Sequence, residues 1–145
     1  KSIPVNQKVK ITTTQGDIII ECKVKDAPGS VANFIKLVDS GYYNNKAFHR
    51  VVPNFVIQTG CNRGDGWGAP NWTQRSEFSN YLSYTTGTVG LASAGKDTES
   101  IQWFITHTYT PFLDGRYSIF AFVIEGMDVV DKMSIGDMVL KVEKI

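Results

Sequence analysis

Two histidines and two cysteines are all that the 145 residues contain, and this scarcity removes whole classes of chemistry. A Ser-His-Asp or Cys-His nucleophile needs a base beside it, yet neither His49 nor His107 adjoins a serine or cysteine in an elbow pattern. Histidine and cysteine never stand three or four residues apart on one element, so no metal and no other cofactor is expected. Long apolar runs are missing as well: the strand-like stretches 17–22 and 118–124 fall far short of the roughly 18 to 20 residues that cross a bilayer. Charge of one sign is equally scarce. The formal net charge is +1, with Lys and Arg scattered along the chain, which gives no footprint for nucleic acid or an anionic membrane. Cys22 and Cys61 are too few for a disulfide framework; a single bridge would need Cα atoms within about 7 Å, and free thiols are the expectation. Neither an initiator Met nor a signal-like apolar core precedes Lys1, which suggests a processed extracytoplasmic protein or an excised domain.

Some local motifs carry little. Gly64-Asp65-Gly66-Trp67-Gly68 lacks the Lys-Ser/Thr ending of a phosphate loop and reads as a tight turn. Arg63-Gly64-Asp65 is a chance tripeptide, and Asn71-Trp72-Thr73 is a glycosylation sequon that matters only in a secretory pathway.

What remains is a chain 42% hydrophobic and 20% charged, enough for one globular domain over residues 1–145. Residues 9–13 and 17–22 are β-branched runs around Thr14-Gln15-Gly16, an antiparallel hairpin. Ser30 is placed to cap a helix over 31–40, with Val31, Phe34, Ile35 and Val38 at helical spacing and Gly41 to end it. Residues 48–51 and 55–60 form two short apolar stretches around a Pro53-Asn54 turn. Residues 62–88 show no sustained period and read as a long ordered loop, a form that usually builds a site. Strands follow at 89–93, 102–106 and 118–124, a second helix at 127–133 and a closing strand at 139–145. About eight short strands with only two helices favour a closed barrel whose ends the helices plug.

Phe48-His49-Arg50-Val51-Val52-Pro53-Asn54-Phe55-Val56-Ile57-Gln58 resembles the cyclophilin signature, in which a Phe-His-Arg triplet precedes a Pro, a Phe and a Gln at these intervals. Gly90-Leu91-Ala92-Ser93-Ala94-Gly95, Gln102-Trp103-Phe104-Ile105 and Leu113-Asp114-Gly115 follow in the order the family shows after its long loop. With the opening hairpin, the first helix and the segment from Ile124 to Val130, the resemblance spans nearly the whole chain. It implies a mainly β fold, a closed eight-stranded antiparallel barrel capped by two α-helices, with a peptide groove on its outer face.

The resemblance also implies a peptidyl-prolyl cis-trans isomerase that assists folding, acting on proline-containing peptides and unfolded segments, and a monomer. Arg50 would be the catalytic cation. Phe55, Val56, Phe104 and Leu113 would seat the substrate proline, and Gln58, Gln102 and the backbone at Ala92, Ser93 and Ala94 would hydrogen-bond the preceding residues. Phe112 and Tyr117 complete the rim. No covalent step is needed to rotate an amide, so the missing nucleophile fits this chemistry. Several positions depart from the family pattern: Val56 replaces the common Met, Ser93 the common Asn, and Tyr117 a frequent His. Ile101 and Trp103 replace the Ser and Phe that usually flank the glutamine. Phe112 stands where cyclosporin-sensitive members carry Trp, and the lost indole N–H predicts weak cyclosporin binding. His49 reads as structural. The competing readings are a proline-peptide binding module with little turnover and, more remotely, a small barrel that carries an apolar ligand in its lumen.

Overall fold

The computed structural model describes residues 3–61, 77, 85–92, 101–108, 110, 113 and 117–145. Among these described residues nine strands form one antiparallel sheet: β1 (Lys8–Thr13), β2 (Gly16–Cys22), β3 (Lys46–Ala47), β4 (Arg50–Val52), β5 (Val56–Thr59), β6 (Thr88–Leu91), β7 (Trp103–Thr106), β8 (Ile119–Glu125) and β9 (Met138–Lys144). Two helices among the described residues, α1 (Pro28–Asp39) and α2 (Met127–Lys132), accompany it. The sheet runs β3-β9-β1-β2-β8-β6-β7-β5-β4 and curls on itself. The mainly β architecture with two helices agrees with the sequence reading. The strand count differs by the two-residue β3, which pairs Lys46 with Val139 and Ala47 with Met138.

β3 and β4 lie at opposite edges of the sheet, yet only Phe48 and His49 separate them in the chain. Among the described residues no strand ladder closes this seam. It is held instead by the Phe48 N–H, which donates to the Asp137 carbonyl at 2.8 Å, and by the Thr59 hydroxyl, which donates to the Ala47 carbonyl at 2.7 Å. Residues 48 and 49, expected within a strand, leave the ladder because the fully buried Phe48 ring turns into the core. There it meets Trp103 edge-on at 6.4 Å.

Strand alternation sends every second residue inward. Val51 pairs with Ile57, Ile57 with Ile105, Ile105 with Val89, Val89 with Ala121 and Ala121 with Cys22, forming one belt across six strands. All but Val51 are fully buried. α1 faces the same core through Val31, Phe34, Ile35 and Val38, and the Phe34 ring packs against Tyr43, Trp103 and Phe120.

The start of α1 corrects the expected cap. The helix begins at Pro28, with Ala27 as N-cap and no side chain of its own capping it. Proline suits the first helical position because its missing N–H has no partner to lose there. Ser30 lies inside the first turn, and the Gly29 and Ser30 amides donate to the Glu77 carboxylate at 2.9 and 2.6 Å. The far end behaves as the sequence indicates. Gly41, at φ +77°, lets its own N–H reach Val38 and the Tyr42 N–H reach Leu37, closing the last turn.

Asp137 joins the β1–β2 turn to the approach to β9. Its carboxylate accepts from the Ser134 N–H at 2.8 Å, from the Thr14 hydroxyl at 3.0 Å and from the Gln15 amide at 3.1 Å. The Ser134 N–H first, then the Thr14 and Gln15 bonds, hold the carboxyl below its ordinary value of 3.8. A depressed folded-state value contributes stability above the unfolded value that is lost as pH falls through the folded one. Asp137→Asn is therefore expected to flatten the acid limb of urea midpoints measured below about pH 4, while the parent keeps falling. Cys22 and Cys61 are buried thiols that form no disulfide, and burial, with a smaller effect of Glu21, pushes the Cys22 thiol up to about 12. Thiolate is the reactive form. At pH 7.5 Cys22 should resist alkylation in the native protein and react once denaturant is added; prompt native labelling, located by peptide mass, would contradict its burial.

Candidate active site

The face opposite the inward belt carries a second row. Arg50 pairs with Gln58, Gln58 with Phe104, Phe104 with Gly90 and Gly90 with Ile119, so these positions align across five strands on the outer face. A turn between β4 and β5 completes the approach. Pro53 presets its first central position, Asn54 takes the left-handed conformation at φ +60°, and the Phe55 N–H returns to the Val52 carbonyl at 3.0 Å. The Phe55 carbonyl accepts from the His107 N–H at 2.7 Å, which ties the turn to the end of β7.

A cavity of about 200 Å³ opens on this row, lined by Arg50, Phe55, Val56, Gln58, Ala92, Phe104, Leu113 and Tyr117. Its floor is an apolar cluster separate from the main core: Val56, Phe104, Leu113 and Ile119 are buried, with Val52, Phe55, Ala92, Tyr117 and Phe122 packed around them. The Tyr117 ring stands edge-on to Phe104 at 5.6 Å, an arrangement that fixes both rings. Among the described residues that line the cavity, Arg50 carries the charge. Arg50 is exposed, with its guanidinium carbon 5.7 Å from the Phe55 ring centre and Nη1 3.5 Å from Gln58 Oε1. Gln58 turns its Nε2 to Gln102 Oε1 at 2.9 Å, so the two amides and the guanidinium form a relay along the groove edge.

Nine of the twelve site residues expected from the sequence therefore meet in one place: Arg50, Phe55, Val56, Gln58, Ala92, Phe104, Leu113 and Tyr117 around the cavity, and Gln102 through its bond to Gln58. Ser93, Ala94 and Phe112 lie outside the described residues, as do the glycine-rich, Arg-Gly-Asp and sequon motifs. The sequence reading missed Val52, Ile119 and Phe122 in the apolar floor. Nearly every residue of 118–124 is apolar, so no alternation marks which of them face the core and which the groove. Trp103 and Ile57, neighbours of the groove residues, are fully buried on the inner side, as alternation requires. The arrangement offers an apolar seat, a guanidinium cation, and aligned amide donors and acceptors. Among the described residues that line the cavity there is no Ser, Thr, Cys, Asp, Glu, Lys or His. Among the described residues no group of three or more His, Cys, Asp or Glu side chains could hold a metal ion, and no helix is long and apolar enough to cross a membrane.

Residues 8–144 match the model of the cyclophilin type peptidyl-prolyl cis-trans isomerase family. The chain is 43% identical to peptidyl-prolyl cis-trans isomerase B of Bacillus subtilis over 80% of its own length and 82% of the relative's. It is 39% identical to a peptidyl-prolyl cis-trans isomerase of Helicobacter pylori over 89% and 81%. A crystal structure of a Cryptosporidium parvum cyclophilin type isomerase superposes with a TM-score of 0.91 at 28% identity, covering 97% of this chain and 98% of that one. A second structure of a Cryptosporidium parvum cyclophilin type isomerase, solved in the presence of the dipeptide Ala-Pro, gives 0.89 at 29% identity over 94% and 97%. With its fold, outer groove and family match over residues 8–144 in agreement, the chain belongs to the cyclophilin-type peptidyl-prolyl cis-trans isomerases.

Proposed function

We infer that this chain accelerates rotation about X-Pro peptide bonds, acting as a monomeric folding assistant on proline-containing peptides and unfolded segments. The observation that carries the reading is the juxtaposition of one exposed arginine with an apolar cavity on the same outer row. An X-Pro bond interconverts over tens to hundreds of seconds because rotation breaks amide resonance, at a barrier of about 18–20 kcal/mol. In the twisted amide the prolyl nitrogen regains its lone pair and becomes an acceptor. Arg50 is the group that donates to it. That bond forms only near the transition state, which is the condition for raising turnover rather than tightening binding.

One charge-assisted hydrogen bond of about 1.5–3 kcal/mol supplies about one to two decades of rate. Anchoring supplies the rest: Phe55, Val56, Phe104 and Leu113 grip the proline ring, while Gln58, Gln102 and the backbone at Ala92, Ser93 and Ala94 hold the residues before it. Phe112 and Tyr117 form the rim. The Gln58–Gln102 bond supports this division, because it leaves the Gln58 carbonyl toward Arg50 and so aims the guanidinium along the groove.

The rate of cis-to-trans conversion of a short X-Pro peptide, measured with the parent and with Arg50→Ala, tests the reading. Acceleration by the parent, reduced by about one to two decades in the folded variant, is expected. A folded parent that binds the peptide without accelerating it would make the chain a binding module. Cyclosporin should bind weakly, since Phe112 has no indole N–H to donate; a direct titration that gives a tight complex would refute this.

A further inference from the structure

Glu77 belongs to the long segment between β5 and β6 and makes two sets of bonds in opposite directions. Its carboxylate accepts from the Gly29 N–H at 2.9 Å, the Ser30 N–H at 2.6 Å and the Ser30 hydroxyl at 2.6 Å. Gly29 and Ser30 stand in the first turn of α1, where the helix dipole favours an anion. A Cβ at Gly29 would lie 3.3 Å from the nearer carboxylate oxygen, so a side chain there would require the carboxylate to shift by a few tenths of an ångström. In the other direction the Glu77 N–H donates to the Ser118 hydroxyl at 2.7 Å. Ser118 is fully buried, and its carbonyl accepts from the Leu91 N–H at 3.0 Å.

Ser118 sits between two groove residues. Tyr117 stands edge-on to Phe104, and Ile119 belongs to the cavity's apolar floor. The residue that fixes Ser118 therefore fixes the wall against which a proline ring would press. We propose that Glu77 is a positioning residue for this groove: anchored on α1 by its carboxylate, it holds Ser118 by its amide, and through Ser118 sets the spacing of Tyr117 and Ile119 against Phe104. The role rests on the groove being the peptide site, as argued above. Helix capping alone would make Glu77 a stability residue with no effect on the peptide. Coupling through Ser118 makes it a determinant of affinity: Tyr117 and Ile119 border the seated ring in ground and transition states alike, while Arg50, Gln58 and Phe104 keep their ladder positions, so the loss should fall on KM rather than kcat.

The test measures dissociation constants for an unlabelled X-Pro peptide by NMR titration, together with KM and kcat, in Glu77→Ala, Glu77→Gln, Ser118→Ala and the Glu77→Ala/Ser118→Ala pair. Val129→Ala serves as a control that opens space beneath α2, away from the groove. We expect Glu77→Ala and Ser118→Ala each to weaken binding and raise KM by about 3- to 10-fold with kcat within about 2-fold, and the double variant to match the larger single effect. Glu77→Gln, which keeps an acceptor oxygen for α1, should recover most of the affinity. Unchanged affinity in folded Glu77→Ala, additive effects in the pair, or an equal loss in Val129→Ala would overturn the proposal. If Glu77→Ala does not fold, Glu77→Gln and Ser118→Ala decide alone: an intact affinity in Ser118→Ala overturns it. Because binding is read directly, a parent that proved inactive would sink the isomerase reading and leave this one standing on its own titrations.

Discussion

The register of the ladders linking β4, β5, β7, β6 and β8 is the constraint from which both the core and the groove follow. Side chains alternate along each strand, so a single pairing decides at once what is buried and what is presented. With Ile57 opposite Ile105 and Ile105 opposite Val89, the barrel interior fills with branched aliphatics. The same pairing puts Gln58 between Arg50 and Phe104 on the outer face. A slip of one residue would drive Gln58 and Arg50 into the core and turn Ile57 to solvent. The hydrophobic effect thus holds the groove in register although the groove residues themselves contribute only part of it.

Within that frame the chemistry depends on keeping unlike environments adjacent. Arg50 is exposed, while Val56 and Phe104 beside it are almost fully buried. A cation sunk into the cavity would cost far more in desolvation than it could return, and one free in solvent would not be aimed. The Gln58 amide resolves this conflict. Its carbonyl lies toward the guanidinium and its N–H toward Gln102, so a neutral side chain directs the cation without neutralising it. A carboxylate in the same position would pair with Arg50 and compete with any incoming amide nitrogen.

Local rules made the hairpin, the end of α1 at Gly41 and the Pro53-Asn54 turn legible from the sequence, because each rests on a backbone preference a few residues long. The groove residues were legible through resemblance rather than pattern. Composition and spacing alone do not distinguish Phe104, which faces the groove, from Trp103, which fills the core. Alternation separates them only after one of the two has been assigned. Two features depend on long-range contacts and escaped the reading. Ser30 looks like a cap, but Pro28 starts the helix two residues earlier and Glu77, 47 positions away from Ser30, takes the amides. Phe48 looks like a strand residue, yet it leaves the ladder to plug the seam between the sheet's edges. In both cases a distant partner outbids the local propensity.

These long-range ties share a location that bears on how such a groove keeps its shape. A site built on strand faces is rigid along the ladders, where Arg50, Gln58 and Phe104 are fixed by paired neighbours. Tyr117 has no such support, since it precedes β8 and belongs to no ladder. Its described contacts are the Phe104 ring and, one residue on, the hydrogen bonds of Ser118. Ser118 receives one from Glu77 and accepts another at its carbonyl from Leu91, which joins the end of β6 to the start of β8 where the ladder has ended. The anchor at the far side of Glu77 is the first turn of α1, whose buried face packs Phe34 against Phe120 one residue beyond Ile119. The helix that fills the core is thus linked to the groove wall by two routes, through apolar packing under β8 and through the Glu77 carboxylate above it.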